Sequence, residues 1–553
     1  MILPQNPTKL RDEVFRQLWI CTRSMGSRAN AYTRREAVYR RGASGIIRGR
    51  VNKAGPAVDK QAALLFAPHL IKFWGKIPSD DEGEEFIHDR VEAVADAVKL
   101  AWNDLMMDEI FPMGVQWGLV DGCRILSIIP QKRTDWEVEL RADLIHPRDF
   151  GVSNETGAMS WVLDRQQGVA VRSYHSLEEL DSWVMRRPDR ATVLSRLAYV
   201  QMDTGDRGSR ITGITPGSTV LQAKPENWPS VSGTENADMP SPICAEFYEL
   251  RLFDDDQEDW RVFTISGDTI LRDRRGSEVG IPQRLPYVKI CPDEDPESFW
   301  GISLIENLTP AQDWFLARIE GMDEKFRKSL RPSTAAIGLG QSFEEKIASF
   351  NRPGGRLAVA NPNAKIQQFP PELSDSDFTM MSMISDALQE QAQLRPGMFG
   401  KGESGVRSEG MQQMYQKLAS AEIAVKSLRV ESRAAEVADL IFQSMRRFST
   451  VKLFDANGRK FRLSEFPASV KIKVDGHSSS PIAMEDHKVE AKGLLQLGLI
   501  KPSRAIRYIA PTMEDAMLHE LKDIEFAKMV ASAKIKQEQE MKRGGKESAG
   551  VEG

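Results

Sequence analysis

Residues 374–448 read SDSDFTMMSMISDALQEQAQLRPGMFGKGESGVRSEGMQQMYQKLASAEIAVKSLRVESRAAEVADLIFQSMRRF, and they divide into a helix, a glycine-studded loop and a much longer helix. From Asp377 to Gln393 the chain holds no proline or glycine, and Asp375 and Asp377 stand where a helix dipole favours carboxylates. Arg395–Gly405 (RPGMFGKGESG) then brings Gly397, Gly400, Gly402 and Gly405 together, which excludes both helix and strand. Ser408 is placed to cap the second, longer helix. Met411, Met414, Leu418, Ala421, Val425 and Leu428 recur at alternating spacings of three and four, and Ala435, Ala438, Phe442 and Met445 carry the stripe to Phe448. The pattern predicts a helix of about forty residues, roughly 60 Å long, a strut across the molecule.

The 553 residues exceed what one hydrophobic core organises, and 41% apolar content supplies several substructures. A net charge of −5, with both signs interspersed, argues against a chain that grips nucleic acid by its overall charge. Cys21, Cys123, Cys244 and Cys291 are widely spaced and form no CxxC pair, so free buried thiols are expected. No apolar run approaches the length that spans a bilayer and the N-terminus lacks an apolar signal core, which predicts a chain kept in a cytoplasm or carried out within a larger particle.

Taken in order, Lys9–Lys60 is basic, with Arg34, Arg35, Arg40, Arg41, Arg48 and Arg50 around Tyr32 and Tyr39. Two readings stand: an arm that binds nucleic acid or a partner, or an arginine-rich surface pairing with acids of a neighbouring subunit. The acidic whole and the lack of a DNA-binding motif favour the second. Helical patterns come next, at about 60–73 and 84–110. From Met113, GVQWGLVDGCRILSIIP and WEVELRAD read as β-rich runs, and the meander continues to about residue 168. Residues 176–187 and 190–200 read as helices, and 203–242 as a long loop. A three-stranded meander is expected at 245–253, 260–265 and 270–273. The acidic turn between its first two strands lacks the glycine and terminal glutamate of a calcium loop. Thr309-Pro310-Ala311-Gln312 reads as a capping box that opens a helix running to about Arg331. Between Pro332 and Leu373 a short helix near 343–350 and a hairpin of RLAVA with AKIQQF are expected. Beyond the strut come a hairpin (VKLFDANGRKFRLS), a third strand (ASVKIKVDG), three helices between 481 and 541, and a polar tail.

Catalytic signatures are missing from the sequence. GMFGKGESG lacks the GK[ST] of a phosphate-binding loop and comes after a helix instead of a strand. The seven histidines form no HExxH and none stands at metal-ligand spacing with cysteine, so neither a cofactor nor a metal is expected.

The succession of LPYVKI, WGISLIENLTPAQDWFLARIEGMDEKF, RPGGRLAVANPNAKIQQF, DFTMMSMISDALQEQAQL and the strut resembles the portal proteins (head-to-tail connectors) of tailed bacteriophages, in particular those of short-tailed phages. The resemblance covers about Phe247–Phe448, and its motifs are degenerate. It implies an α+β, mostly helical protomer of wing, stem, clip and crown regions around a central channel. Residues 1–301 and 449–477 would form the wing, 302–331 and 374–394 the stem helices, and 332–373 the clip. Residues 395–407 would be the tunnel loop, 408–448 the long wing helix, 478–541 the crown and 542–553 a disordered tail. Arg395, Met398, Phe399 and Lys401 would enter the channel. Trp314, Arg318, Lys325, Lys328, Met381 and Gln389 would belong to the stem, and Phe343, Arg352, Arg356 and Asn361 to the docking face of the clip.

The resemblance further implies a non-enzymatic dodecameric ring at one capsid vertex, assembled in the bacterial host cytoplasm and retained in the virion. Double-stranded DNA would pass through it during packaging and ejection. The large terminase ATPase, the major capsid and scaffolding proteins and the tail adaptor would be its partners, with no membrane involved. Two other classes stay open on the sequence. One is a DNA-binding or nucleotide-dependent remodelling enzyme using the basic segment and the glycine loop; the other is an internal scaffold or virion protein.

Overall fold

The computed structural model describes residues 1–41, 51–67, 71, 73–76, 84–132, 138–157, 160–176, 197–203, 210–213, 243–281, 283–330, 333–337, 365–369, 374–394, 409–448, 452–454, 460–466 and 470–474; for 75–76, 84–92, 131–132, 138, 176, 198–203, 210–213, 243–244, 328–330, 333–337, 365–369, 409–422 and 452–454 it describes the backbone alone. The expected tunnel loop, crown, tail and most of the clip lie outside these residues.

The chain opens with α1 (Pro7–Thr22), capped by the Asn6 side chain, and α2 (Met25–Arg41), followed by α3 (Ala54–Leu65). The basic segment is therefore built largely as packed helices and not as an extended arm. Arg28 lies 3.5 Å from the Trp300 ring centroid, donates to the Pro147 and Phe150 carbonyls and pairs with Glu155. Arg35 donates to the Asp121 carbonyl at 2.7 Å and pairs with Glu306. The acids these two arginines meet belong to their own chain. The helix expected at 60–73 begins earlier, at Ala54, and ends at Leu65. Phe73 already belongs to β1 (Phe73–Lys76).

The helical region of 84–110 is two helices, α4 (Glu84–Asp104) and α5 (Met107–Asp121), divided at Met106, whose φ is +52°. α5 runs straight through GVQWGLVD, which the composition assigns to strand. The glycines there serve contact: a Cβ on Gly114 would stand 2.7 Å from Ile290 Cδ1, and one on Gly118 3.0 Å from Pro292 Cδ. They let the helix lie directly on the sheet behind it.

That sheet comprises β2 (Arg124–Lys132), β3 (Val138–Ile145) and, far along the chain, β11 (Tyr287–Ile290), in the order β11-β2-β3 and antiparallel throughout. A larger antiparallel sheet joins β4 (Phe150–Val152), β5 (Gly168–Ser176), β6 (Ala198–Asp203), β7 (Arg210–Gly213), β8 (Ile243–Asp254), β9 (Asp259–Ser266) and β10 (Thr269–Arg275). The expected meander is its β8-β9-β10 edge. Residues 198–200, expected helical, are strand; 177–196 lie outside the described residues. Buried Lys289 in β11 donates to the Trp161 and Phe299 carbonyls at 2.7 and 3.3 Å, tying the sheet to the loop that enters the next helix.

That helix, α6 (Leu304–Leu330), starts five residues before the expected capping box. Ser303 Oγ accepts from the Glu306 amide at 3.1 Å and donates to the Val120 carbonyl, which makes Ser303 the cap. Thr309 lies inside the helix, its hydroxyl donating to the Ile305 carbonyl. Next come β12 (Ser333–Ile337), β13 (Lys365–Phe369), α7 (Asp375–Gln391) and α8 (Glu409–Phe448). AKIQQF does supply a strand, but its described partner is β12; RLAVA lies outside the described residues. α8 has the forty residues expected of the strut. The hairpin of β14 (Lys452–Phe454) and β15 (Lys460–Arg462) forms as expected, whereas β16 (Lys471–Val474) pairs with β1 instead of extending it.

The largest apolar core among the described residues joins α2, α3, α4, α5, β2, β11, α6, α7 and α8, with Trp102 and Phe111 fully buried in it. α8 is further pinned by ion pairs of Lys426 with Asp293 (2.9 Å), Arg433 with Glu294 (2.6 Å) and Asp439 with Arg284 (2.5 Å). Cys21, Cys123 and Cys291 are buried free thiols, and burial pushes Cys123 up to about 11 and Cys21 up to about 12.

Candidate functional site

The helices expected to form the stem and the strut are α6, α7 and α8. α6 and α7 lie antiparallel: Lys325 near the end of α6 meets Asp377 in the first turn of α7, while Phe315 and Leu388 share the main core at the other end. The β12–β13 ladder comes after α6 and before α7, so it joins the pair at the end away from the core. At that end Asp377 gathers the polar contacts. Its Oδ2 accepts from Lys325 Nζ at 2.9 Å and from the Ser374 amide at 3.2 Å, and Arg318 stands 3.6 Å from Oδ1. The Lys325 hydrogen bond, then that of Ser374, holds the Asp377 carboxyl below its ordinary range. Two of the basic stem candidates are thus engaged by one carboxylate.

Of the remaining candidates, Trp314 is 52% exposed, Met381 packs on the edge of the main core and Gln389 is exposed. Lys328 lies in α6 with its side chain undescribed. Phe343, Arg352, Arg356, Asn361, Arg395, Met398, Phe399 and Lys401 lie outside the described residues.

The exposed apolar side chains of the pair have a distinct geometry. Ile384, Leu388 and Asp377 mark the inward face of α7. Phe378 (56% exposed) and Met383 (66% exposed) are five residues apart, so they sit about 140° from one another around the helix, one on each flank. On α6, Trp314 points away from the side that buries Ile305, Leu308 and Leu316, while Phe326 (51% exposed) continues that side beyond the core.

α3 anchors this pair to the strut. Gln312 of α6, fully buried, accepts from the Lys53 and Ala54 amides at 3.1 and 3.2 Å and donates to the Val51 carbonyl at 2.8 Å, so it caps α3 from outside. Gln61 of α3 donates to the Ala392 carbonyl at 3.0 Å, and Ser427 of α8 donates to the Leu65 carbonyl at 3.2 Å. Nothing in the order of the sequence marks these three contacts.

The sequence also left unseen a cluster of half-buried Glu36, buried Asp121 and half-buried His146, whose ligand-type atoms all lie within 4.8 Å of one another. His146 Nδ1 accepts from the Arg148 amide at 3.1 Å, so the ring proton is on Nε2, which donates to Glu36 at 2.8 Å. Arg124 takes Asp121 Oδ2 at 2.7 Å. A cation on Nε2 would require the ring proton to move to Nδ1, against the Arg148 N–H. The donors present do not fit a metal and form a network of hydrogen bonds and one ion pair joining α2, α5 and the 146–149 turn. Burial raises the Asp121 carboxyl to about 7 despite Arg124, and burial lowers His146.

No family model matches the chain, and no curated protein matches it. Among solved structures, the virion of a native gene transfer agent particle contains a chain 11% identical, with a TM-score of 0.38 over 83% of this chain and 89% of that one. The neck of an empty gene transfer agent particle, computed with C6 symmetry, contains one 12% identical, with a TM-score of 0.35 over 82% and 89%. Both likenesses are too slight to carry a functional argument.

Proposed function

We propose that the chain is the repeating subunit of a portal-type ring, a conduit for double-stranded DNA at one capsid vertex that docks the packaging motor and later the tail. The observation that carries this reading is the pair α6–α7, which exposes large apolar side chains on opposite flanks. A two-fold dimer uses one self-complementary patch, whereas a closed ring needs two different faces that meet head to tail. Phe378 and Met383 supply such faces on a single helix. The strut α8, carried back into the main core and pinned by three ion pairs, gives each copy a rigid body from which the pair is held.

On this reading the chain has no catalytic step to perform. The engagement of Arg318 and Lys325 by Asp377 suits passage over grip, because each cation freed to meet phosphate would add salt-dependent affinity and retard sliding. The motor ATPase, capsid, scaffolding and tail proteins are the partners this role requires. Electron microscopy of the purified chain tests the proposal: a ring with a central channel is expected, without nucleotide turnover. A monomer that persists at high concentration would overturn it.

A further inference from the structure

The last turn of α7 holds two unfavourable features at one point. Its end is a Schellman turn: the Leu394 amide donates to the Gln389 carbonyl at 2.8 Å and the Gln393 amide to the Glu390 carbonyl at 2.9 Å. Such a turn needs a left-handed residue, which is usually glycine, and here Gln393 takes that place with a φ of +57°. Gln61 Nε2 holds the turn from α3, donating to the Ala392 carbonyl and, at 3.3 Å, to Gln393 Oε1. Gln61 is itself fully buried, and its own Oε1 has no hydrogen-bond partner.

We propose that Ala392–Leu394 is a strained two-state joint, clamped by α3 and coupled through α3 to α8. The bonds already present define the second state. If the turn unwinds by one residue, Gln393 leaves the left-handed region and the Gln393 or Leu394 amide is released from α7. Gln61 Oε1, buried and unpartnered, belongs to the side chain that already holds this turn and can accept the released amide. One rearrangement removes both the strain and the orphaned acceptor and gives up one Schellman bond in return.

The clamp is also a relay. α3 receives its N-terminal cap from Gln312 of α6, gives Gln61 to the end of α7, and at its C-terminus offers the Leu65 carbonyl to Ser427 of α8. Lys53 Nζ reaches Ser385 of α7 at 3.4 Å. A shift of α8 against α3 therefore changes the hold on the α7 terminus. The coupling element is one twelve-residue helix. The joint belongs to the single chain, so it stands whether or not copies close into a ring.

Amide hydrogen exchange on the full chain reads the joint directly. Gln393→Gly relieves the left-handed strain and is expected to slow exchange of the 393 and 394 amides about fivefold. Gln61→Met removes the clamp and is expected to speed it by a similar factor. Ser427→Ala, on a different element, is expected to speed exchange at 393 and 394 while leaving the β8–β9 amides unchanged. Unchanged or faster exchange in Gln393→Gly would overturn the strained joint, and an effect of Ser427→Ala confined to α8 would overturn the relay. If Gln61→Met does not fold, the other two variants decide both points.

Discussion

The body around α3, α5 and α8 and the α6–α7 pair are stabilised by different physics. In the body, Phe111 stands 4.7 Å from Phe66 and 5.7 Å from Trp102, ring to ring, and the surrounding side chains are buried on every side. Beyond the core, the pair is tied by Asp377 with Lys325 and Arg318, and its large apolar groups face outward. Their carboxylates differ in the same sense. Asp121 is raised by burial, and Asp377 is lowered by its cationic and amide donors. On the proposed reading, a segment that keeps Phe378 and Met383 exposed and engages Lys325 and Arg318 internally is completed by a neighbouring copy.

Breaking the body should therefore act on the monomer. Phe111→Ala is expected to cost about 3–5 kcal/mol, measured by denaturant unfolding, because it leaves a cavity among aromatic rings. Gly151→Ala is expected to cost about 1–3 kcal/mol, since a Cβ there would stand 2.1 Å from the Cys21 carbonyl oxygen at the end of α1. Limited proteolysis should then cut within α1 while the α6–α7 pair stays protected.

The titrations sharpen the contrast. A carboxyl with a lowered folded pKa stabilises above its unfolded value of 3.8 and loses that contribution as pH falls through the folded value. Amide protection in the first turn of α7, taken relative to the intrinsic exchange rate at each pH, should therefore fall in acid, and Asp377→Asn should abolish that fall. Asp121 has the opposite sign. Its contribution is fully present below 3.8 and is lost as pH rises through about 7. Amide protection in α2 near Glu36, taken relative to the intrinsic exchange rate at each pH, should fall as pH rises from about 4 through about 7, and Asp121→Asn should flatten that fall.

Local rules made much of the fold legible. The spacing of Met, Leu and Ala fixed α8, Asp375 and Asp377 marked the start of α7, and the turns DDDQED and SGDT delimited β8, β9 and β10. Elements whose composition answers to distant neighbours were misread. Gly114 and Gly118 look like strand punctuation, yet they sit in a helix where Ile290 and Pro292 leave no room for a Cβ. β16 pairs with β1 across most of the chain, and AKIQQF with β12, registers that no local spacing encodes. Of the candidate site, the helix pair was legible and its anchors were not. Gln61, Gln312 and Ser427 are ordinary polar residues until α3 is placed among three helices. Glu36 and His146 are 110 positions apart.

The smallest effect on the monomer is expected at the flanks, and there the central claim is most exposed. Phe378→Asp and Met383→Asp each change a surface side chain and should leave monomer stability within about 0.5 kcal/mol. If the two flanks of α7 face different neighbours, each variant alone should remain a 62.1 kDa monomer by native mass spectrometry. An equimolar mixture should stop at a heterodimer, because it can form one intact junction and no second. Either variant closing into a ring by itself, or the mixture growing beyond the dimer, would contradict the head-to-tail account.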